Sequence, residues 1–306
     1  MKSAITFIFS LGFILFVVSG LFWYWFMPLN DAEFIFNPEI QKNYNFSTGN
    51  NSIQFYENLR YPEKRISYKI EDACTLQRKA DMGTAFDIIE NLTVLDFYPV
   101  IVNEEISVSC EEKIKINERF FIAGEGGPTN ITQAGNFNVI SHGGILLLKD
   151  SECERPNVAI HELLHALGFD HSQNKNNIMY NISKCSQIIG DDTVGFIDEL
   201  YSVESKPDLI FENASAKMKG RYLDVNVSMR NIGLRDSIST EIVILADGKN
   251  VNEVVLNPLK IGYGSTITMQ NIFVSSLNVK KVRVVINSTF AELDKRNNEI
   301  EMEIKK

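Results

Sequence analysis

Residues 161–171 read His-Glu-Leu-Leu-His-Ala-Leu-Gly-Phe-Asp-His, and that spacing dictates the local backbone. His161 and His165 are four apart, so on a helix both imidazoles leave one face and can share one ion. Glu162 stands about 100° further round, where a carboxylate reaches a water held by that ion. Gly168 can take the left-handed conformation that ends a helix, which lets the chain double back and bring in His171 as a third ligand. Three nitrogen ligands with a fourth position open describe a catalytic zinc site; a structural site is closed by a fourth protein ligand. A His-x-x-x-His pair alone is often two solvated residues, but three of the chain's four histidines fall in this stretch.

The stretch resembles the metzincin signature, His-Glu-x-x-His-x-x-Gly-x-x-His followed by a methionine turn. Asn-Ile-Met-Tyr at 177–180 supplies Met179. Within the metzincins the chain is most similar to the matrixins. Thr93-Val-Leu-Asp-Phe97 resembles their Thr-x-Leu-x-Phe segment, His171-Ser172 their usual ending, and Asp191-Asp-Thr-Val-Gly-Phe-Ile-Asp-Glu-Leu-Tyr201 their final helix. The likeness runs over roughly 65–202 and implies a zinc endopeptidase acting on protein or peptide substrates. It implies one catalytic Zn2+ on His161, His165 and His171, Glu162 as general base, and Met179 as a hydrophobic floor rather than a ligand. Tyr180 is not assigned to the metal, because metzincins with a tyrosine ligand place it two residues after the methionine. The resemblance also implies an edge strand above the metal that pairs with extended substrate. Segment 138–148 is given that role, a buried strand being the alternative. His142 lies here, outside the motif, and reads as an ordinary surface histidine. No cysteine precedes Cys74 and no Pro-Arg-Cys-Gly segment occurs, so latency through a cysteine on the zinc is not expected. Neither acidic calcium loops nor a second zinc site are recognisable.

Other segments bear on where such a site would sit. Residues 4–27 carry no charge and are almost wholly apolar. As a helix they reach about 36 Å, enough to cross a hydrocarbon core of about 30 Å. Trp23, Tyr24 and Trp25 lie at the far end, where an interfacial aromatic belt belongs, with Lys2 before the span and Asp31 and Glu33 after it. Residues 1–27 therefore read as an uncleaved signal anchor in the cell membrane with the rest outside; secretion after signal cleavage is the alternative. Residues 28–64 are polar without a sustained period and read as a stalk or linker. The net charge of −9, with no basic stripe, argues against nucleic acid as a partner. Cys74, Cys110, Cys153 and Cys185 form no Cys-x-x-Cys pair and suit disulfides. Three pairings are open; Cys74–Cys110 with Cys153–Cys185 is preferred, since the second would bracket the metal helix and the methionine turn.

The pattern of apolar residues makes the fold class α+β. A peptidase domain over 65–203 should hold a strand from 66 to 70 and a helix over 75–91. Further strands are expected near 98–102, 106–110, 113–122 and 138–148, with Gly124–Pro128 as a glycine-rich turn. The metal helix should start at Asn157 as N-cap and a last helix should cover 191–202. After Lys206-Pro207, strand-like runs near 208–215, 221–230, 239–247, 251–257, 266–273, 280–287 and 298–304 predict an immunoglobulin-like β-sandwich over 207–306. This region resembles the CARDB domain through Pro207-Asp-Leu, Arg230-Asn-Ile-Gly233 and Glu292-Leu-Asp-Lys-Arg-Asn-Asn298. A spacer role is expected for it, with a surface ligand as a further possibility. The whole chain then reads as a membrane-anchored extracellular zinc endopeptidase. A surface adhesion protein with an idle metal domain, or a zinc hydrolase of cell-wall peptides, are the alternatives.

Overall fold

The computed structural model describes residues 2–26, 32–35, 53–112, 115–117, 120–150, 153–276 and 278–304. Helix α1 (Lys2–Phe26) opens the chain. Over 10–22, where its side chains are described, apolar residues face outward all round, Phe13 and Phe16 among them. Among the described residues no helix is long and apolar enough to cross a membrane, the side chains of α1 being described over 10–22 only. Strand β1 (Ala32–Ile35) follows.

The first domain contains β2 (Leu59–Arg60), β3 (Arg65–Ile70), α2 (Leu76–Leu92), β4 (Asp96–Pro99), β5 (Ile106–Cys110), a hairpin of β6 (Lys115–Asn117) and β7 (Phe120–Ile122), β8 (Gly124–Ala134), β9 (Phe137–Leu147), α3 (Asn157–Ala166) and α4 (Asp191–Leu200). Thr75 caps α2 by accepting the Arg78 N–H, and Met82, Ala85, Phe86 and Ile89 turn its buried face to the core. Strands β4, β3, β5 and β9 run parallel, while β8 lies antiparallel along β9 from Gly124↔Leu147 to Ala134↔Phe137. Ile160, Leu163 and Leu164 of α3 are fully buried with Ile66, Ile106 and Ile145 of the sheet, each such side chain stabilising the fold by about 1.5–3 kcal/mol.

Three expectations need correction. Segment 138–148 is not an edge: β9 has β8 on one flank and β5 with β2 on the other, so β8 is the outer strand. Gly124–Pro128 is the first half of β8 rather than a turn; Gly124 and Gly126 serve a close approach to α3. Asn157 is the first residue of α3, not its cap; Pro156 precedes it with no side-chain cap bond, and the Asn157 amide donates to the Lys184 carbonyl at 2.7 Å.

The second domain has β10 (Leu209–Lys219), β11 (Tyr222–Asn231), β12 (Thr240–Ala246), β13 (Lys249–Leu256), β14 (Gly264–Phe273), β15 (Lys281–Asn287) and β16 (Glu299–Ile304). Each falls on one of the strand-like runs. Leu223, Val225, Val227 and Met229 alternate inward along β11. Asp247 and Gly248 both have positive φ, as a two-residue hairpin between β12 and β13 requires. The strand order is β13-β12-β15-β16-β1-β10-β11-β14, so β1 pairs antiparallel with both β10 and β16. Phe34 of β1 is fully buried in this core, while Leu59 and Tyr61 are fully buried in the first. Residues 32–35 and 53–64, read as stalk, are therefore built into the two domains. A four-residue strand and isolated apolar positions leave no period to detect.

The domains meet at the β8–β9 turn. Ala134, Phe137 and Val139 pack with Leu234, and Arg235 pairs with Glu63.

Candidate metal centre

Helix α3 brings His161 and His165 onto one face, each 5% exposed. The helix stops at Leu167 because Gly168 has φ +99, where a Cβ would also meet the Leu59 side chain at 2.8 Å. Phe169 N–H then reaches back to the Leu164 carbonyl at 3.0 Å, and the reversed chain delivers His171. The Nε2 atom of His165 lies 2.9 Å from that of His161 and 3.2 Å from that of His171. These three histidines are the metal-type cluster among the described residues.

The proton positions decide what those short contacts mean. His161 Nδ1 sits 2.6 Å from the Ile178 carbonyl, and His165 Nδ1 sits 2.7 Å from the Phe169 carbonyl. A carbonyl only accepts, so both Nδ1 atoms carry the proton and both Nε2 atoms present lone pairs. Burial lowers the pKa of His161 to about 4 and also lowers that of His165, which keeps both rings neutral. Lone pairs turned on one another repel unless a cation lies between them. The donor set therefore fits a zinc ion, and it would be held by His161, His165 and His171.

Glu162 is 6% exposed. Desolvation, with the nearby Glu125 charge second, raises its carboxyl to about 8. Strand β8 roofs it: a Cβ on Gly124 would stand 2.7 Å from Glu162 Cγ, and one on Gly126 would stand 2.9 Å from its Cα. Met179 is buried; its N–H donates to Asn177 Oδ1 at 2.8 Å and its carbonyl accepts the Ser172 N–H at 2.8 Å. The turn thus works through its backbone: the Ile178 carbonyl orients His161, a role no side-chain motif could announce. His142 stands apart, its Nδ1 at 2.6 Å from Thr129 Oγ1, and Tyr180 is half-buried beside the turn.

Two disulfides frame the site. Cys153 is bonded to Cys185 across the loop that follows the methionine turn, and Cys74 to Cys110. Gln187, 2% exposed, fixes the same loop by donating to the carbonyls of Lys175 and Ile182. Sequence reading passed over Gln187, since a lone polar residue in a loop carries no periodic signal.

Residues 54–200 match the Astacin family of peptidases, and residues 206–302 match CARDB. Over 148 residues the chain is 22% identical to Zinc metalloproteinase nas-14 of Caenorhabditis elegans, which covers 48% of this chain and 25% of that protein. The chain thus spans about a quarter of that relative's length. The CARDB domain of the PF1109 protein from Pyrococcus furiosus, solved in complex with di-metal ions, is 15% identical. That comparison has a TM-score of 0.27 and covers 32% of this chain and 87% of that one. The first domain is accordingly of astacin type, a metzincin branch distinct from the matrixins, and the second is a CARDB domain. The matrixin reading, carried by Thr93–Phe97, Ser172 and 191–201, is corrected by the Astacin match over 54–200.

Proposed function

We propose that this chain is a zinc-dependent endopeptidase, held at the outer face of a membrane by α1, with one catalytic ion on His161, His165 and His171. The convergence of the three Nε2 atoms carries this reading, and the astacin match supports it. Bound zinc would supply Lewis acidity towards a water and the scissile carbonyl. Glu162, whose ionised form an ion on the three histidines would favour, takes the proton of the attacking water on its carboxylate and passes it to the leaving amine. Its burial beneath Gly124 and Gly126 excludes bulk water from that transfer. The flank of β8 away from β9, which pairs with no other strand among the described residues, offers backbone groups to an extended peptide, the recognition mode of strand addition. The outward apolar side chains of α1 suit a lipid environment better than water.

The test uses the detergent-solubilised full chain with one equivalent of zinc and a mixed peptide library. Wild type should cleave peptides. Glu162→Gln should bind zinc as tightly while turnover falls by about 10²–10⁴-fold. Near-native turnover in Glu162→Gln would remove the general-base assignment. Silence from the wild type would remove the endopeptidase reading.

A further inference from the structure

The loop Ile53–Asn58 lies against the end of α3 and is fixed from both sides. Asp170 N–H donates to the Ile53 carbonyl and Phe55 N–H to the Gly168 carbonyl, each at 3.0 Å, so the loop is stitched to the turn that delivers His171. Gln54, 5% exposed, closes the loop on itself: its Nε2 donates to the Leu59 carbonyl at 2.6 Å and its Oε1 accepts the Leu59 N–H at 3.1 Å. Further on, Asn58 has φ 53 and donates from its amide to the Asn136 carbonyl at 2.9 Å. The Asn138 amide donates to the Glu57 carbonyl at 2.8 Å.

A loop pinned at so many points determines where its side chains stand, yet it leaves two adjacent aromatics in solvent. Phe55 is 38% exposed and Tyr56 56% exposed. The Phe55 ring stacks on His165, with centroids 5.6 Å apart and planes 25° apart. That stacking is not needed to orient His165, whose Nδ1 the Phe169 carbonyl already holds. A core residue here would be buried, and a purely solvated loop tip would carry polar residues. An exposed ring one side-chain width from the three converging nitrogens has another use.

We propose that Phe55 and Tyr56 form a wall of the substrate cleft. They take an aromatic or branched apolar side chain of the peptide, next to the scissile bond. The proposal rests on the endopeptidase reading and adds its substrate class. Aromatic faces offer such a side chain offset or edge contacts without demanding a partner for a polar group. Contacts of this size discriminate between apolar side chains by roughly 10–200-fold.

The experiment measures kcat and KM of the zinc-loaded full chain on paired peptides, with Phe or Leu exchanged for Ala at each position flanking the cleaved bond. Wild type should favour the larger side chain at one of these positions by about tenfold or more. Phe55→Ala should bring that ratio close to one, chiefly through KM, while zinc affinity measured by chelator competition stays unchanged. Phe55→Tyr should restore the ratio. Tyr56→Ala, with its ring in solvent, gives the same reading should Phe55→Ala fold poorly. An unchanged ratio in Phe55→Ala and Tyr56→Ala overturns the proposal and leaves the endopeptidase reading intact. So does an equal loss on every peptide, which would mark a structural prop for His165. A wild type that cleaves nothing overturns both.

Discussion

Replacing Gly126 by alanine tests whether the roof over Glu162 is set by backbone contact. The added Cβ would run into the Glu162 carbonyl oxygen and stand 2.9 Å from its Cα and carbonyl carbon, where ordinary contact begins at 3.4 Å. The shortfall at the two carbons, 3.4 − 2.9, is 0.5 Å and that at the carbonyl oxygen is larger, so β8 or α3 must yield by more than 0.5 Å, and the neighbour is backbone rather than a flexible side-chain end. Overpacking of this kind costs about 1–3 kcal/mol. Against it stands the reduced freedom of the unfolded chain, worth about 0.4–1 kcal/mol. A misplacement of 1 Å near reacting groups can cost about a hundredfold in rate, so roughly tenfold is expected here. Gly127 is the internal control: it lies in the same strand, and a Cβ there meets nothing within 4 Å. Thermal midpoints of the first-domain transition and kcat/KM on one peptide, for Gly126→Ala and Gly127→Ala side by side, decide the matter. Equal behaviour of the two variants would refute the reasoning, whichever way both moved.

Two further outcomes follow from the structure. Converting Cys153 and Cys185 to serine opens a loop with a sequence separation of 32. In the chain-entropy model that costs about 3–4 kcal/mol; urea unfolding of the first domain reads the loss, and an unchanged midpoint would show that Gln187 and the core hold the loop unaided. In the second domain, burial first, with the charges of Glu292 and Asp294 beside it, raises the Asp208 carboxyl to about 6. Its folded pKa lies above its ordinary value, so the stability it contributes is present below about pH 4 and lost as pH rises through about 6. Thermal scans from pH 4 to 8 should show a steeper decline for wild type than for Asp208→Asn, and parallel curves would contradict the assignment.

The clustering of His161, His165 and His171 was legible because its information is local: a four-residue spacing, then one glycine whose left-handed φ sets the return. The sandwich strands were legible for a similar reason, as in Leu223, Val225, Val227 and Met229, where alternation alone gives the buried face. What escaped depends on partners far along the chain. Gly124 and Gly126 look like a turn until α3 is laid beneath them. Ala32–Ile35 is too short to show a period, and its place between β10 and β16 lies about 180 and 270 residues away in sequence. Phe55-Tyr56 did leave a trace, two neighbouring aromatics in a polar stretch, but only contact with His165 gives that trace a meaning. The metzincin branch was misread because the deciding likeness is spread over the whole domain rather than held in Ser172 or Thr93–Phe97.

The placement of β1 also fixes a path for mechanical load. A pull between α1 and the second domain is met first by the backbone bonds that β1 shares with β10 and β16. The peptidase domain lies outside that path. Tension between those two parts of the chain is therefore carried without straining the helix that holds His161 and His165.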